Sequence, residues 1–184
     1  MESKLIIIRG NSGSGKTTIA KKLQEQFGQG TLLVSQDAVR RDMLNVQDRK
    51  GNLSHDLIRQ ITEYGRDKCE FVIVEGILNK QRYGEMLQYL IEFYKGKAYT
   101  YYFDLSFEKT VERHQTRSKK KEFGEDSLRA WWNPKDYLGV DGETMLTNDM
   151  TQSDILNLIL KQIEESVEET EPAVSDSEGS KESI

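Results

Sequence analysis

The chain has 184 residues, of which 31% are charged and 36% hydrophobic, and its formal net charge is −5. No apolar run nears the roughly 20 residues of a membrane helix, and the short run LIIIRG, followed at once by a glycine-rich loop, does not read as a signal peptide. A single cysteine, Cys69, excludes an internal disulfide and fits a reducing, cytoplasmic setting; at the end of a helical pattern beside an apolar run it reads as structural, not as a catalytic thiol.

Residues 4–8, KLIII, read as a buried strand, and residues 16–27 as a helix stopped by Gly28. A second strand is predicted at 31–35, then a short helix from about 38 to 44. Residues 54–68 carry Leu57, Ile61 and Tyr64 on one helical face, with Ser54 as N-cap. The run FVIVE at 71–75 is the clearest buried strand. A helix at 83–95 and a Tyr- and Thr-rich strand at 98–105 follow, then a helix at 106–117 capped by Ser106. A strand at 144–146 and a helix near 153–165 close the domain. Strands alternating with helices predict an α/β fold: five parallel strands with helices on both faces. The globular domain is placed at 1–166.

The charge is uneven. Residues 164–184 hold eight acids and one base, a net −7, which leaves +2 for the remainder. The stretch 167–184 has too little apolar material to pack and is expected to be a disordered acidic tail. A near-neutral body does not suggest a dedicated nucleic-acid binder, but it leaves room for an anionic ligand in one pocket.

Between the first strand and helix lies Gly10-Asn11-Ser12-Gly13-Ser14-Gly15-Lys16-Thr17, which fits G-x-x-x-x-G-K-[ST]. Glycines there allow the turns that point backbone N–H groups at phosphate oxygens, and the helix aims its N-terminus at the same charge. Lys16 would reach the β- and γ-phosphates, the Thr17 hydroxyl would ligate Mg²⁺, and Thr18 lies beside them. A GTPase would need N-K-x-D after a later strand; the nearest match, Asn79-Lys80-Gln81-Arg82, ends in Arg. A motor-type ATPase usually needs a longer core and arginines from a partner. A small kinase fits better, with ATP and Mg²⁺ as cofactors.

Such a kinase needs a metal carboxylate, a cationic lid and an acceptor site with a base. Glu75, at the end of FVIVE, supplies the first. The segment ERHQTRSKKKEFGE supplies the second: Arg113 and Arg117 share a helix face, Lys119, Lys120 and Lys121 follow, and Gly124 can act as a hinge. The helical lid is placed at about 113–133. His114 and His55 are not assigned catalysis. For the acceptor side, Asp37 follows the second strand, where ligands collect in parallel sheets, and can accept a hydroxyl proton. Arg40, three residues on, can hold an anionic group of the acceptor. The spacing Asp-x-x-Arg recurs at Asp56/Arg59 and Asp126/Arg129, so position and not spacing singles out Asp37. Asp37 also reads as the N-cap of the short helix, and Arg41 is assigned to another face.

The motifs RGNSGSGKTT, SQDAVRRDML, VIVEGIL and ERHQTR together resemble the P-loop kinase group that includes zeta toxins, chloramphenicol phosphotransferases and the kinase domain of polynucleotide kinases. Chains similar to this one are often labelled kinase, sometimes uridine kinase. The resemblance implies a five-stranded parallel P-loop NTPase core and transfer of the γ-phosphate of ATP to a hydroxyl. It also implies Asp37 as the base and Arg113 and Arg117 as phosphate contacts. Asn79, Arg82 and Tyr83, just beyond Glu75, are candidate acceptor contacts. Trp131 and Trp132 could stack on substrate or pack under the lid. The expected acceptor is a small molecule: nucleoside, sugar, nucleotide-sugar or antibiotic. A polynucleotide 5′-hydroxyl kinase is the second reading and a non-catalytic ATP-binding regulator the third. No membrane partner is expected.

Overall fold

The computed structural model describes residues 2–115 and 125–168. Its order is β1 (Lys4–Gly10), α1 (Lys16–Phe27), β2 (Leu32–Ser35), a wide helical turn (Ala38–Met43), α2 (Ser54–Gly65), β3 (Phe71–Gly76) and α3 (Lys80–Phe93). Then come β4 (Ala98–Phe103), α4 (Phe107–Gln115), α5 (Glu125–Ala130), β5 (Thr144–Leu146) and α6 (Gln152–Glu168). The strands form one five-stranded sheet in the order β2-β3-β1-β4-β5, with every pairing parallel.

Strand periodicity sorts the core onto two faces. Leu5 and Ile7 of β1 point with Val72 and Val74 of β3 into a layer closed by Ile58 of α2 and Tyr83, Leu87 and Leu90 of α3. Ile6 and Ile8 join Ile73, Tyr101 and Phe103 on the other face, under Ile19 and Leu23 of α1 and Ile155 and Ile159 of α6. An unbroken apolar strand such as LIII is what burial on both faces requires.

Element ends matter here because they carry the site. β1 runs on to Gly10, two residues past the predicted end, and α3 starts at Lys80, three before it. Gly28 ends α1 as expected, its N–H donating to the Gln24 carbonyl at 3.0 Å. Ser106 caps α4, its Oγ accepting from the Lys109 N–H at 3.2 Å. Ser54 does not cap α2. It is the first helical residue, and the Asn52 side-chain oxygen accepts the Ser54 N–H at 2.9 Å instead. The short helix after β2 is a wider turn than expected, closed by the Leu44 N–H on the Val39 carbonyl at 3.1 Å. Among the described residues no helix is long and apolar enough to cross a membrane.

Candidate active site

Parallel register brings the carboxyl ends of four strands together: Ser35 pairs with Glu75, Ile8 with Glu75, Arg9 with Gly76, and Gly10 with Phe103. The phosphate loop starts where β1 stops. Gly10 is required there, since a Cβ would sit 2.8 Å from the Phe103 Cβ. Gly15 starts α1 in a left-handed conformation (φ 113°), which a side chain disfavours. Lys16 is buried; its Nζ donates to the Asn11 carbonyl at 2.7 Å and to Ser14 Oγ at 3.3 Å. The ammonium thus folds back across the loop that its neighbours' backbone builds.

Glu75 is 3% exposed at the end of β3. Its Oε2 accepts from Thr17 Oγ1 at 3.1 Å and its Oε1 from Ser35 Oγ at 2.6 Å. A loop hydroxyl, a strand hydroxyl and a carboxylate are hard oxygen donors, the set that Mg²⁺ accepts when phosphate oxygens and water complete its shell. Among the described residues no group of three or more His, Cys, Asp or Glu could hold a metal ion.

Arg113 lies against the loop from α4. Its Nη1 donates to the Ser14 carbonyl at 2.9 Å and its Nη2 to the Met150 carbonyl at 3.2 Å, and burial lowers its pKa. Beside it opens a cavity of ≈ 550 Å³, lined by Gly15, Thr18, Phe103, Arg113, Asn148 and Gln152 among others. Such a volume suits a small-molecule site. A second cavity, ≈ 350 Å³, lies by Ser3, Arg66 and Lys97, next to the start of β1 and far from the phosphate loop in the sheet. Ligands of parallel sheets gather at the carboxyl ends, which favours the larger one. Arg117, Lys119, Lys120, Lys121 and Gly124 lie outside the described residues, as does most of the acidic tail.

On the β2 side, the Asp37 side chain is 63% exposed and makes no capping bond to the turn it precedes. Its Oδ1 pairs instead with Arg40 Nη2 at 3.0 Å and Arg41 Nε at 3.3 Å. Arg41 is therefore not on another face: residues four apart are neighbours on a helical turn as much as residues three apart. Arg40 Nη1 also donates to the Val46 carbonyl at 3.1 Å, and its buried Nε has no hydrogen-bond partner among the described residues.

The residues beyond Glu75 are engaged inside the protein. Asn79 caps α3, its Oδ1 accepting the Gln81 N–H at 3.0 Å. Tyr83 is fully buried; its hydroxyl donates to Asp48 Oδ1 at 2.8 Å, and Arg82 pairs with Asp48 Oδ2 at 3.2 Å. Both hold the loop ahead of α2 against α3. The His55 ring lies 4.1 Å from the Tyr83 ring, and burial lowers its pKa, against the pull of Asp48 and Asp56. Trp132 packs edge-on against Phe107 at 5.3 Å, while Trp131 is half exposed.

Sequence reasoning missed a buried network behind the loop. Arg9, 0% exposed, donates through Nη2 to Asp136 Oδ2 at 2.9 Å and through Nη1 to Glu143 Oε1 at 3.2 Å. Burial lowers the Arg9 pKa, and the charges of Asp136 and Glu143 oppose that. On the other side of Gly10, Asn11 grips one residue twice: Nδ2 donates to the Asn133 carbonyl and Oδ1 accepts the Asn133 N–H, both at 2.9 Å. A charge inside the apolar run LIIIRG was the available signal for Arg9.

A family model described as AAA domain matches residues 5–133. No curated protein matches the chain significantly. Among solved structures, a gluconokinase from Sinorhizobium meliloti 1021 aligns with TM-score 0.63 and 16% identity, over 92% of this chain and 99% of that one. The APS kinase of Mycobacterium tuberculosis, in complex with AMPPNP and APS, gives 0.60 and 17%, over 89% and 98%. A tunicamycin resistance protein from Deinococcus radiodurans gives 0.62 and 15%, over 88% and 95%. At these identities the likeness establishes the P-loop NTPase-like fold that the chain shares with small kinases.

Proposed function

We infer that this chain, which belongs to the AAA domain family and has its P-loop kinase-like fold, is an ATP-dependent phosphotransferase acting on a hydroxyl of a small molecule. The observation that carries this reading is the bond from Thr17 Oγ1 to the Glu75 carboxylate. It sets a strand-end carboxylate on the hydroxyl of the phosphate loop, the arrangement phosphoryl transfer needs for a metal–nucleotide complex. In this reading residues Gly10 to Thr18 hold the triphosphate, and the nucleoside lies in the ≈ 550 Å³ cavity beside Arg113. Thr17 and Glu75 would hold Mg²⁺, which when bound neutralises charge on the β- and γ-phosphates.

The acceptor hydroxyl oxygen attacks the γ-phosphorus, the bond from that phosphorus to the β–γ bridging oxygen breaks, and the hydroxyl proton passes to the Asp37 carboxylate. Lys16, Arg113 and Arg117 stabilise the charge on the migrating group. Arg40 and Arg41 orient Asp37 and can receive an anionic group of the acceptor. Arg82 and Tyr83 contribute through Asp48, by holding the loop that borders the acceptor side.

The relatives in structure suggest where to look. One is named a gluconokinase and another is bound to APS. The test is incubation with γ-labelled ATP and Mg²⁺ over a panel of nucleosides, sugars, nucleotide-sugars, aminoglycoside and nucleoside antibiotics, and 5′-hydroxyl oligonucleotides. Label on a small molecule supports the reading. Label on the oligonucleotide alone replaces it with a polynucleotide kinase. ATP binding without transfer to any member of so broad a panel favours a nucleotide-binding regulator.

A further inference from the structure

Three strand ends meet on one residue that the mechanism above does not use. Leu78 follows Glu75 by three residues and precedes Asn79, the cap of α3. It is fully buried and has φ 42°, the left-handed region that a residue with a side chain seldom adopts. Both polar groups of its backbone are held by side chains from the end of β1 and from the residue just past β2. Gln36 Oε1 accepts the Leu78 N–H at 3.0 Å, and Arg9 Nε donates to the Leu78 carbonyl at 3.1 Å.

The two side chains come from chosen places. Gln36 is 3% exposed and immediately precedes Asp37; Arg9 immediately precedes Gly10 of the phosphate loop. Gln36 crosses directly over Gly76, where a Cβ would lie 2.5 Å from Gln36 Cβ and Oε1. Asp136 extends the grip, since its Oδ2 accepts both Arg9 Nη2 at 2.9 Å and the first N–H of α3, that of Lys80, at 2.8 Å. A turn conformation that is unfavourable by itself persists only where its surroundings over-determine it. Here the surroundings are the flanks of the proposed base, of the metal carboxylate and of the phosphate loop.

We propose that Gln36 and Arg9 are positioning residues: by clamping the Leu78 peptide they fix Asp37, Glu75 and the start of α3 in register with the phosphate loop. The proposal rests on the kinase reading. It is separable from that reading because the clamp predicts a defect in turnover with nucleotide affinity intact.

The substitutions Gln36→Met and Gln36→Glu test it. Met keeps the length and volume of the side chain but offers Leu78 no comparable acceptor; Glu keeps an oxygen there. With γ-labelled ATP and the acceptor that the wild type uses, Gln36→Met should lower kcat about 100-fold, the scale of a 1 Å misplacement, with KM for ATP within about twofold. Gln36→Glu should recover at least about tenfold of that loss. Wild-type kcat in Gln36→Met overturns the proposal. So does a fall in kcat and ATP affinity together that tracks loss of folded protein by circular dichroism. A second measurement needs no acceptor. In ¹⁵N-labelled wild type, Mg²⁺–AMPPNP should shift the Leu78 and Lys80 amides along with those of Gly13 and Gly15. Shifts at the two glycines alone overturn the clamp; no shift at any of the four rejects the kinase reading, and the proposal with it.

Discussion

Replacing Arg9 with Met should cost the fold more than any surface change, and the size of the effect follows from what the guanidinium leaves behind. Its Nε bonds the Leu78 carbonyl at 3.1 Å, Nη2 bonds Asp136 Oδ2 at 2.9 Å, and Nη1 bonds Glu143 Oε1 at 3.2 Å, all from a side chain with 0% exposure. Removing one side of a buried ion pair costs about 3–5 kcal/mol, because the partner charge stays buried. Two features favour the lower end. Glu143 keeps the N–H groups of Leu138 and Gly139, at 3.0 and 2.9 Å, and Asp136 keeps that of Lys80 at 2.8 Å. Met also refills most of the apolar stem's space. A loss of about 3 kcal/mol in a domain of this size corresponds to a Tm lower by about 6–12 °C. Thermal unfolding by circular dichroism, with urea unfolding for the free energy, measures it. Adding Glu143→Gln should cost less in the Arg9→Met background than alone, a coupling of about 1–3 kcal/mol. A Tm within about 2 °C of wild type, or strictly additive costs, would refute the reasoning that this network is an integral part of the core.

Lys16→Ala should weaken Mg²⁺–AMPPNP binding by about 10- to 100-fold in calorimetry, since a charge-assisted hydrogen bond contributes about 1.5–3 kcal/mol; unchanged affinity would remove Lys16 from the phosphate site. Asn11→Ala should cost about 1–3 kcal/mol in urea unfolding, because the Asn133 N–H and carbonyl both lose their bonds to its side chain. Burial lowers the His55 pKa below its ordinary 6.5, so the unfolded chain binds a proton more readily than the folded one. Stability is then full above about pH 6.5 and declines as the pH falls below it. The Tm of wild type should therefore drop more than that of His55→Gln between about pH 7.5 and 5, and parallel curves would contradict the assignment.

What could be read from the chain itself was whatever repeats locally. The phosphate loop is a contiguous motif, the strands are apolar runs, and Glu75 ends the clearest of them, so its arrival beside Thr17 needed only the rule that parallel strands share their carboxyl ends. The Arg9 network could not be read that way, since its partners Asp136 and Glu143 lie 127 and 134 residues away in sequence. Two placements had local signals. Tyr83 lies on one stripe with Leu87 and Leu90, all three buried on the inner face of α3, so the same periodicity that located the helix marked Tyr83 as core. Arg41 is four residues from Asp37, a spacing that brings side chains together as well as three does. Ser54 failed as a cap because Asn52 takes its N–H two residues earlier, a competition between adjacent polar residues that composition leaves open.

The most direct test of the central claim compares wild type with Asp37→Asn in transfer of γ-label from ATP to the acceptor found in the panel, alongside calorimetric binding of Mg²⁺–AMPPNP. Loss of a general base should lower the transfer rate by about 10²- to 10⁴-fold while nucleotide affinity stays within about twofold. Transfer at the wild-type rate by Asp37→Asn would contradict the account.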